Sequence, residues 1–189
     1  MTDLTVITPP AEEPVSLSQA KDYLRIGHDG EDGLLLELIS SARARLERVA
    51  GLALISRALK LTWTRWPGSL GGRGVIIAPT PATGISSVAI FDADDLSTDH
   101  TGRFSFECGR LRLRSWSMVP AVPYDGRVEI EFEAGFGSAA QVPEDLKLAV
   151  KRLIAEAYGE RGLPGERGVG APLPDDVEAI INAHRGARL

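Results

Sequence analysis

The densest gathering of groups able to do chemistry is DADDLSTDH, residues 92–100, which holds Asp92, Asp94, Asp95, Asp99 and His100. Alternating carboxylates are what a calcium loop uses to surround a hard cation with oxygen. Aligned from Asp92, the stretch puts Asp94 at the third position, but Ser97 stands where the sharp turn needs glycine and Arg103 where a bidentate glutamate closes the site. It reads as an acidic loop between strands. His28, His100 and His184 fall in three separate segments, none with a partner at zinc-ligand spacing. They read as turn or surface histidines, with an interface role as the alternative for His184. A GxSxG nucleophile elbow and a local Cys/His pairing are both missing from the sequence. GSLGGRG, residues 68–74, lacks the GKS or GKT ending that brings a lysine and a hydroxyl to phosphate, and it joins strand to strand, so it reads as a mobile hairpin loop. No catalytic residue, cofactor or metal is expected, and the chain is not expected to be an enzyme.

GERGLPGERGVG, residues 159–170, repeats glycine every third position and then breaks phase at Gly170. A collagen helix needs many uninterrupted triplets, so the stretch reads as a hydrated joint whose twelve residues span at most about 40 Å.

These segments need elements to position them, and hydrophobic period supplies those. SLSQAKDYLRI, 16–26, has capping-box spacing at Ser16 and Gln19, with Ala20, Tyr23 and Leu24 on one face. A second helix, about 31–50, carries Leu35, Leu38, Ile39, Ala42, Leu46 and Val49 on one stripe and stops at Gly51. Arg43, Arg45 and Arg48 fall off that stripe, as a solvated face or as subunit contacts. From 57 the period drops to two: RALKLTWTRW, VIIAP, SVAIFD, RFSFEC, RLRLR and RVEIEFE predict five or six short strands within 57–134. Helical spacing returns over 143–161, with Leu146, Ala149, Val150, Leu153, Ile154 and Ala157 in line. A last short helix begins at Pro174 and places Val177, Ile180, Ile181 and His184 on one face. Ten residues of helix are marginal alone in water, so this apolar edge is expected to dock elsewhere.

The expected fold is therefore α+β: a small helical bundle (16–26, 31–50 and 143–161) interrupted by a β-rich insertion at 57–134, with a C-terminal docking helix. The domain expectation is a leader at 1–14, a connector domain at 15–161, a linker at 162–173 and a docking helix with tail at 174–189.

Bulk composition narrows the function classes. With 21 basic and 26 acidic residues the net charge is -5, the wrong sign for a protein that grips DNA with its whole surface. Cys108, the single cysteine, has no intramolecular partner and is expected as a half-buried strand residue. A basic region followed by an apolar run is missing at the N-terminus, and 18 apolar residues never occur together, so neither export nor membrane association is expected. One alternative stays open in the β region. Trp63, Trp66, Phe104, Phe106, Trp116, Tyr124 and Phe132 lie near Arg65, Arg103, Arg110, Arg112 and Arg114, either as core with a basic fringe or as a stacking surface for single-stranded nucleic acid. Arg112 and Arg114 serve equally as subunit or tail-side contacts.

The order of PVSLSQAKDYLRIGHDGEDGLLLELISSARARLERVAG, then LKLTWTRWP, then VEIEFEAGFGSAAQVPEDLKLAVKRLIAEAY resembles the head-tail connector (adaptor) proteins of long-tailed phages and phage-derived gene transfer agents. The resemblance covers about 15–161. It implies a ring under the portal protein, twelve-fold in the family, joined on the tail side to the next neck (stopper or tail-completion) protein. Double-stranded DNA would pass through the ring without sequence specificity. It also implies that Pro174–Leu189 reaches the portal through Val177, Ile180, Ile181, His184 and Arg185, and that the protein resides in the neck of a phage-like particle, assembled in the host cytoplasm. The leader and the glycine joint have no counterpart in the family pattern.

Overall fold

A computed structural model describes residues 2–114, 117–159 and 172–184. The chain divides into two compact units: a β unit from residues up to Ala11 together with Ser56–Phe136, and a helical unit from Glu12–Ile55 together with Gly137 onward. The α+β class and the β insertion agree with the expectation.

The β unit is built on a five-stranded antiparallel sheet of β1 (Thr2–Val6), β2 (Arg57–Trp63), β4 (Ala82–Phe91), β5 (Ser97–Asp99) and β8 (Arg127–Ala134), in the order β1-β2-β8-β4-β5. Period two decides which face is dry. Leu59, Leu61 and Trp63 of β2 lie opposite Phe132, Ile130 and Val128 of β8, and Val88 and Ile90 of β4 continue the rows from the other side. All eight are buried. The opposite face is polar, where Lys60 reaches Glu129 at 3.1 Å and Arg127 holds both Glu129 and Asp95 at 2.7 and 2.6 Å.

Two features of this sheet differ from the expectation. Residues 2–6, set apart from sequence as part of a leader, form the edge strand β1, with Leu4 opposite Leu61 and Val6 opposite Leu59. All five residues are exposed, so their own pattern carries little signal and the partner strand decides their state. β4 begins five residues before SVAIFD, because register shifts at Ala82/Gly84 and Ile85/Ser87 break the alternation a strand is recognised by.

A three-stranded sheet, β3 (Val75–Ile76), β7 (Arg110–Leu113) and β6 (Phe104–Glu107) in that order, completes the unit. Cys108 and Gly109 join β6 to β7 with φ of 50° and 72°. Positive φ at both central residues is the signature of a type I′ hairpin, whose twist matches the flanking strands. Cys108 is therefore an exposed turn residue rather than a half-buried strand residue. GSLGGRG is likewise not an open loop: Gly68–Gly71 forms a 3-10 turn that buries Leu70.

The helical unit contains α1 (Leu17–Leu24), α2 (Asp32–Ala50), α3 (Glu144–Gly159) and α4 (Asp175–His184). The capping box is formed as expected, with Gln19 N–H donating to Ser16 Oγ at 3.2 Å and Ser16 N–H to Gln19 Oε1 at 3.0 Å. Gly51, at φ 69°, ends α2 by turning left-handed, a conformation that other residues adopt at a cost. The core joins Leu35, Ile39, Ala42 and Leu46 of α2 to Leu146, Ala149, Val150, Leu153 and Ile154 of α3, with Ala20 from α1. Tyr23 and Val49, placed on apolar faces from sequence, are 42 and 41 % exposed, because each falls at the end of its helix, beyond its packing partners.

Candidate functional site

The C-terminal helix is where the structure changes the functional picture most. α4 lies antiparallel on α3. Asp176 near its start pairs with Arg152, and His184 Nε2 at its end lies 2.6 Å from Asp145 Oδ2. Between these clasps Val177 and Ile181 are 0 and 1 % exposed. Just before the helix, the Pro172 carbonyl accepts a 3.3 Å hydrogen bond from Arg45 Nη2. The expectation of a bare apolar edge therefore meets a helix whose edge is already used. The physical reason is the one that raised the expectation: ten residues of helix need tertiary contacts, and α3 supplies them. Of the five residues the resemblance assigns to the portal, Val177 and Ile181 face α3, Ile180 is half-buried, His184 is tied to Asp145, and Arg185 lies outside the described residues.

Burial pushes the Asp145 carboxyl up, but the hydrogen bonds from His184 and the Leu146 N–H outweigh it and hold the pKa below the ordinary 3.8. A carboxyl depressed on folding stabilises above its unfolded pKa and loses that contribution as pH falls through the folded value. His184→Ala should move the Asp145 titration, followed by carboxyl NMR, back up toward 3.8. An unmoved titration would mean that the clasp is not formed in solution.

Two of the three α2 arginines, Arg43 and Arg45, are committed to carboxylates of the helical unit. Arg43 donates to Glu13 at 2.7 Å and to Glu47 at 2.9 Å. Arg45 pairs with Glu156 at 3.1 Å. Arg48 is exposed. Glu47, an acidic residue off the apolar stripe of α2, is the important residue the pattern conceals. Only 7 % exposed, it also accepts the Leu54 N–H at 2.8 Å and so fixes the chain where Leu52, Ala53, Leu54 and Ile55 are buried. Its off-stripe position signals solvent, and only the returning 52–55 segment makes it interior.

Of the aromatic residues singled out in the β unit, Trp63, Phe104 and Phe132 are core, and Trp66 and Phe106 are half-buried. Trp66 packs edge-on against Trp63 and tilted against Phe104, with ring centroids 6.1 and 5.2 Å away, and its indole donates to the Pro120 carbonyl at 2.8 Å. Phe132 is 1 % exposed, and of the described aromatics Tyr124 stands out at 91 %. Trp116 lies outside the described residues. The basic fringe is less committed: Arg103, Arg112 and Arg114 are exposed, and Arg114 donates to the Phe104 carbonyl at 3.1 Å. No described helix is long and apolar enough to cross a membrane.

This pair of units recurs, over nearly the whole chain, in solved particle structures. A chain in the neck of an empty gene transfer agent particle, computed with C6 symmetry, is 31 % identical, with a TM-score of 0.78 over 99 % of this chain and 97 % of that one. The chain belongs to the gene transfer agent neck-protein family. A chain of the virion of a native gene transfer agent particle matches this neck protein at 30 % identity and a TM-score of 0.79, covering 98 % of this chain and 96 % of its own. A third, in a native particle neck computed with C12 symmetry, matches at 28 % and 0.77, covering 99 and 97 %. No family model and no curated protein sequence matches the chain. The neck family is one of structural particle components, and the likeness extends over nearly the full length of each chain. Neither an edge strand of five exposed residues nor a docked terminal helix is legible as such from the sequence.

Proposed function

We propose that this neck protein is the head-tail adaptor of its particle: a ring subunit that binds beneath the portal and joins the DNA-filled head to the tail-side neck protein. The full-length likeness to a chain in a neck computed with C12 symmetry carries the reading and supports a ring of twelve copies. An acidic chain suits a channel through which double-stranded DNA slides without sequence specificity, since each phosphate neutralised by arginine or lysine adds salt-dependent grip. The portal contact falls to the C-terminal segment. While α4 stays seated, that contact uses Ile180, the exposed positions beside it, and Arg185; Val177 and Ile181 become available only if α4 lifts from α3.

Removing residues 171–189 tests this reading. The truncated protein should remain folded, yet particles carrying it should accumulate as heads without tails. Normal yields of tailed, DNA-filled particles would refute the portal role of the segment. Binding of the full chain to single- and double-stranded DNA at two salt concentrations addresses nucleic-acid recognition as its main activity. The burial of Trp63, Phe104 and Phe132 withdraws much of the stacking platform and predicts weak binding, whereas tight binding with a steep salt slope would overturn the adaptor reading.

A further inference from the structure

We infer that the β unit carries both halves of a subunit contact: a socket beside β6 that accepts the acidic β4–β5 hairpin tip of a second copy of this chain. The inference rests on the ring reading and specifies where neighbouring copies meet. The socket is an open cavity of about 320 Å³ along the outer side of β6, the edge strand of the small sheet. Ile85, Phe104, Phe106 and Leu111 line it with apolar surface, and Thr101, Ser105, Glu107 and Arg114 add polar groups. Arginines outnumber carboxylates around it: Glu107 in the lining faces its register partner Arg110, and three further arginines lie close by. Arg103 directly precedes Phe104, and Arg112 is the register partner of Ser105, which also lines the cavity. Among the described residues Arg103, Arg112 and Arg114 have no carboxylate partner, although other arginines of the unit, such as Arg127, are doubly paired. Arginines without a carboxylate partner around a largely apolar cavity fit a partner that brings an apolar side chain flanked by carboxylates.

The chain itself presents such a group. At the tip of the β4–β5 hairpin Leu96 is 68 % exposed, and the exposed Asp94 has no cationic partner among the described residues. The tip is preorganised: Asp92 Oδ1 accepts the N–H groups of both Asp94 and Leu96, at 3.0 and 2.9 Å, and Asp95 is tied to Arg127. A knob held in shape loses little freedom on binding. It does not fill the socket of its own chain, because β5 pairs with β4 and holds Leu96 out in solvent. Knob and socket are different patches of the same β unit, so a contact running from each copy to the next is head-to-tail, the kind of interface that makes a ring when its rotation closes.

Charge exchange in the full-length chain, expressed in particle-producing cells in place of the natural copy, tests the contact. Arg112→Glu with Arg114→Glu reverses the socket, and Ala93→Lys with Asp94→Lys reverses the knob. Each pair should lower the yield of tailed particles by about tenfold or more, because like charges then face each other across the contact. All four substitutions together on one chain should bring the yield back to within about threefold of normal, since opposite charges meet again. Leu96→Ser should lower it without affecting folding. Unchanged yields in the single reversals, or a combined chain as defective as either parent, would overturn the contact. So would loss of DNA binding in the socket variant without rescue, which would mark the arginines as a nucleic-acid surface. The copy number of the wild-type protein in purified necks separates the two levels of the argument. One copy per neck would refute the ring itself, whereas a ring indifferent to all these variants would refute only this contact.

Discussion

Glu47→Ala is expected to lower the melting temperature of this neck protein by about 10 °C, the largest effect of any single polar substitution in the helical unit. Removing one partner of a buried, hydrogen-bonded charge pair costs roughly 3–5 kcal/mol, and a chain of this size loses about 2–4 °C per kcal/mol. Two groups are stranded by the change. The Leu54 N–H, in a stretch where Leu52–Ile55 are buried, loses its 2.8 Å acceptor, and Arg43 keeps Glu13 but loses the partner beneath it. Glu47→Gln separates the contributions: the amide oxygen still accepts from Leu54, so the fall should be about half as large. Thermal unfolding followed by circular dichroism decides the matter. A change of under about 2 °C for Glu47→Ala would show that the 51–55 segment is held by its apolar side chains alone.

Ile181→Asp is the second large effect, and it is local. Ile181 is one of two described α4 side chains fully withdrawn from solvent, and a carboxylate in that apolar seat is unpaired. Losing the isoleucine alone costs about 2–5 kcal/mol, comparable to all that a helix with two apolar anchors can gain by docking. α4 should therefore leave α3 and, at ten residues, unfold, while the α1–α3 core keeps its melting temperature. Hydrogen exchange should show amide protection over 175–184 falling by about a hundredfold, the equivalent of roughly 3 kcal/mol, with protection in 144–159 retained. Equal loss in both segments would mean that α4 is an integral part of the bundle. That outcome would also argue against a portal contact requiring α4 to lift away.

Much of the fold was legible because its signals are local. The Ser16/Gln19 box and Gly51 mark helix ends through backbone groups within four residues, so the ends of α1 and α2 follow directly. Of the stripe Leu146, Ala149, Val150, Leu153, Ile154 and Ala157, all but Ala157 are buried, and Ala157 is half-buried in the last turn of α3. The bounds of the β insertion, 57–134, coincide with the first residue of β2 and the last of β8, where apolar spacing changes from two to three and four. Where alternation fails the signal is lost: two register shifts interrupt the first half of β4, and β3 is only two residues long.

The sequence by itself determined which faces are apolar, where the helical bundle is interrupted and that no familiar catalytic pattern is present, because each is written in spacing along the chain. Tertiary structure alone decided what those faces and charges touch. It turned the leader into an edge strand, made Glu47 interior, divided the aromatic residues between core and surface, and seated α4 on α3. Each of these outcomes depends on a neighbour distant in sequence, β2 for residues 2–6 and α3 for residues 175–184, and the period of a segment specifies a buried face without naming the partner that buries it.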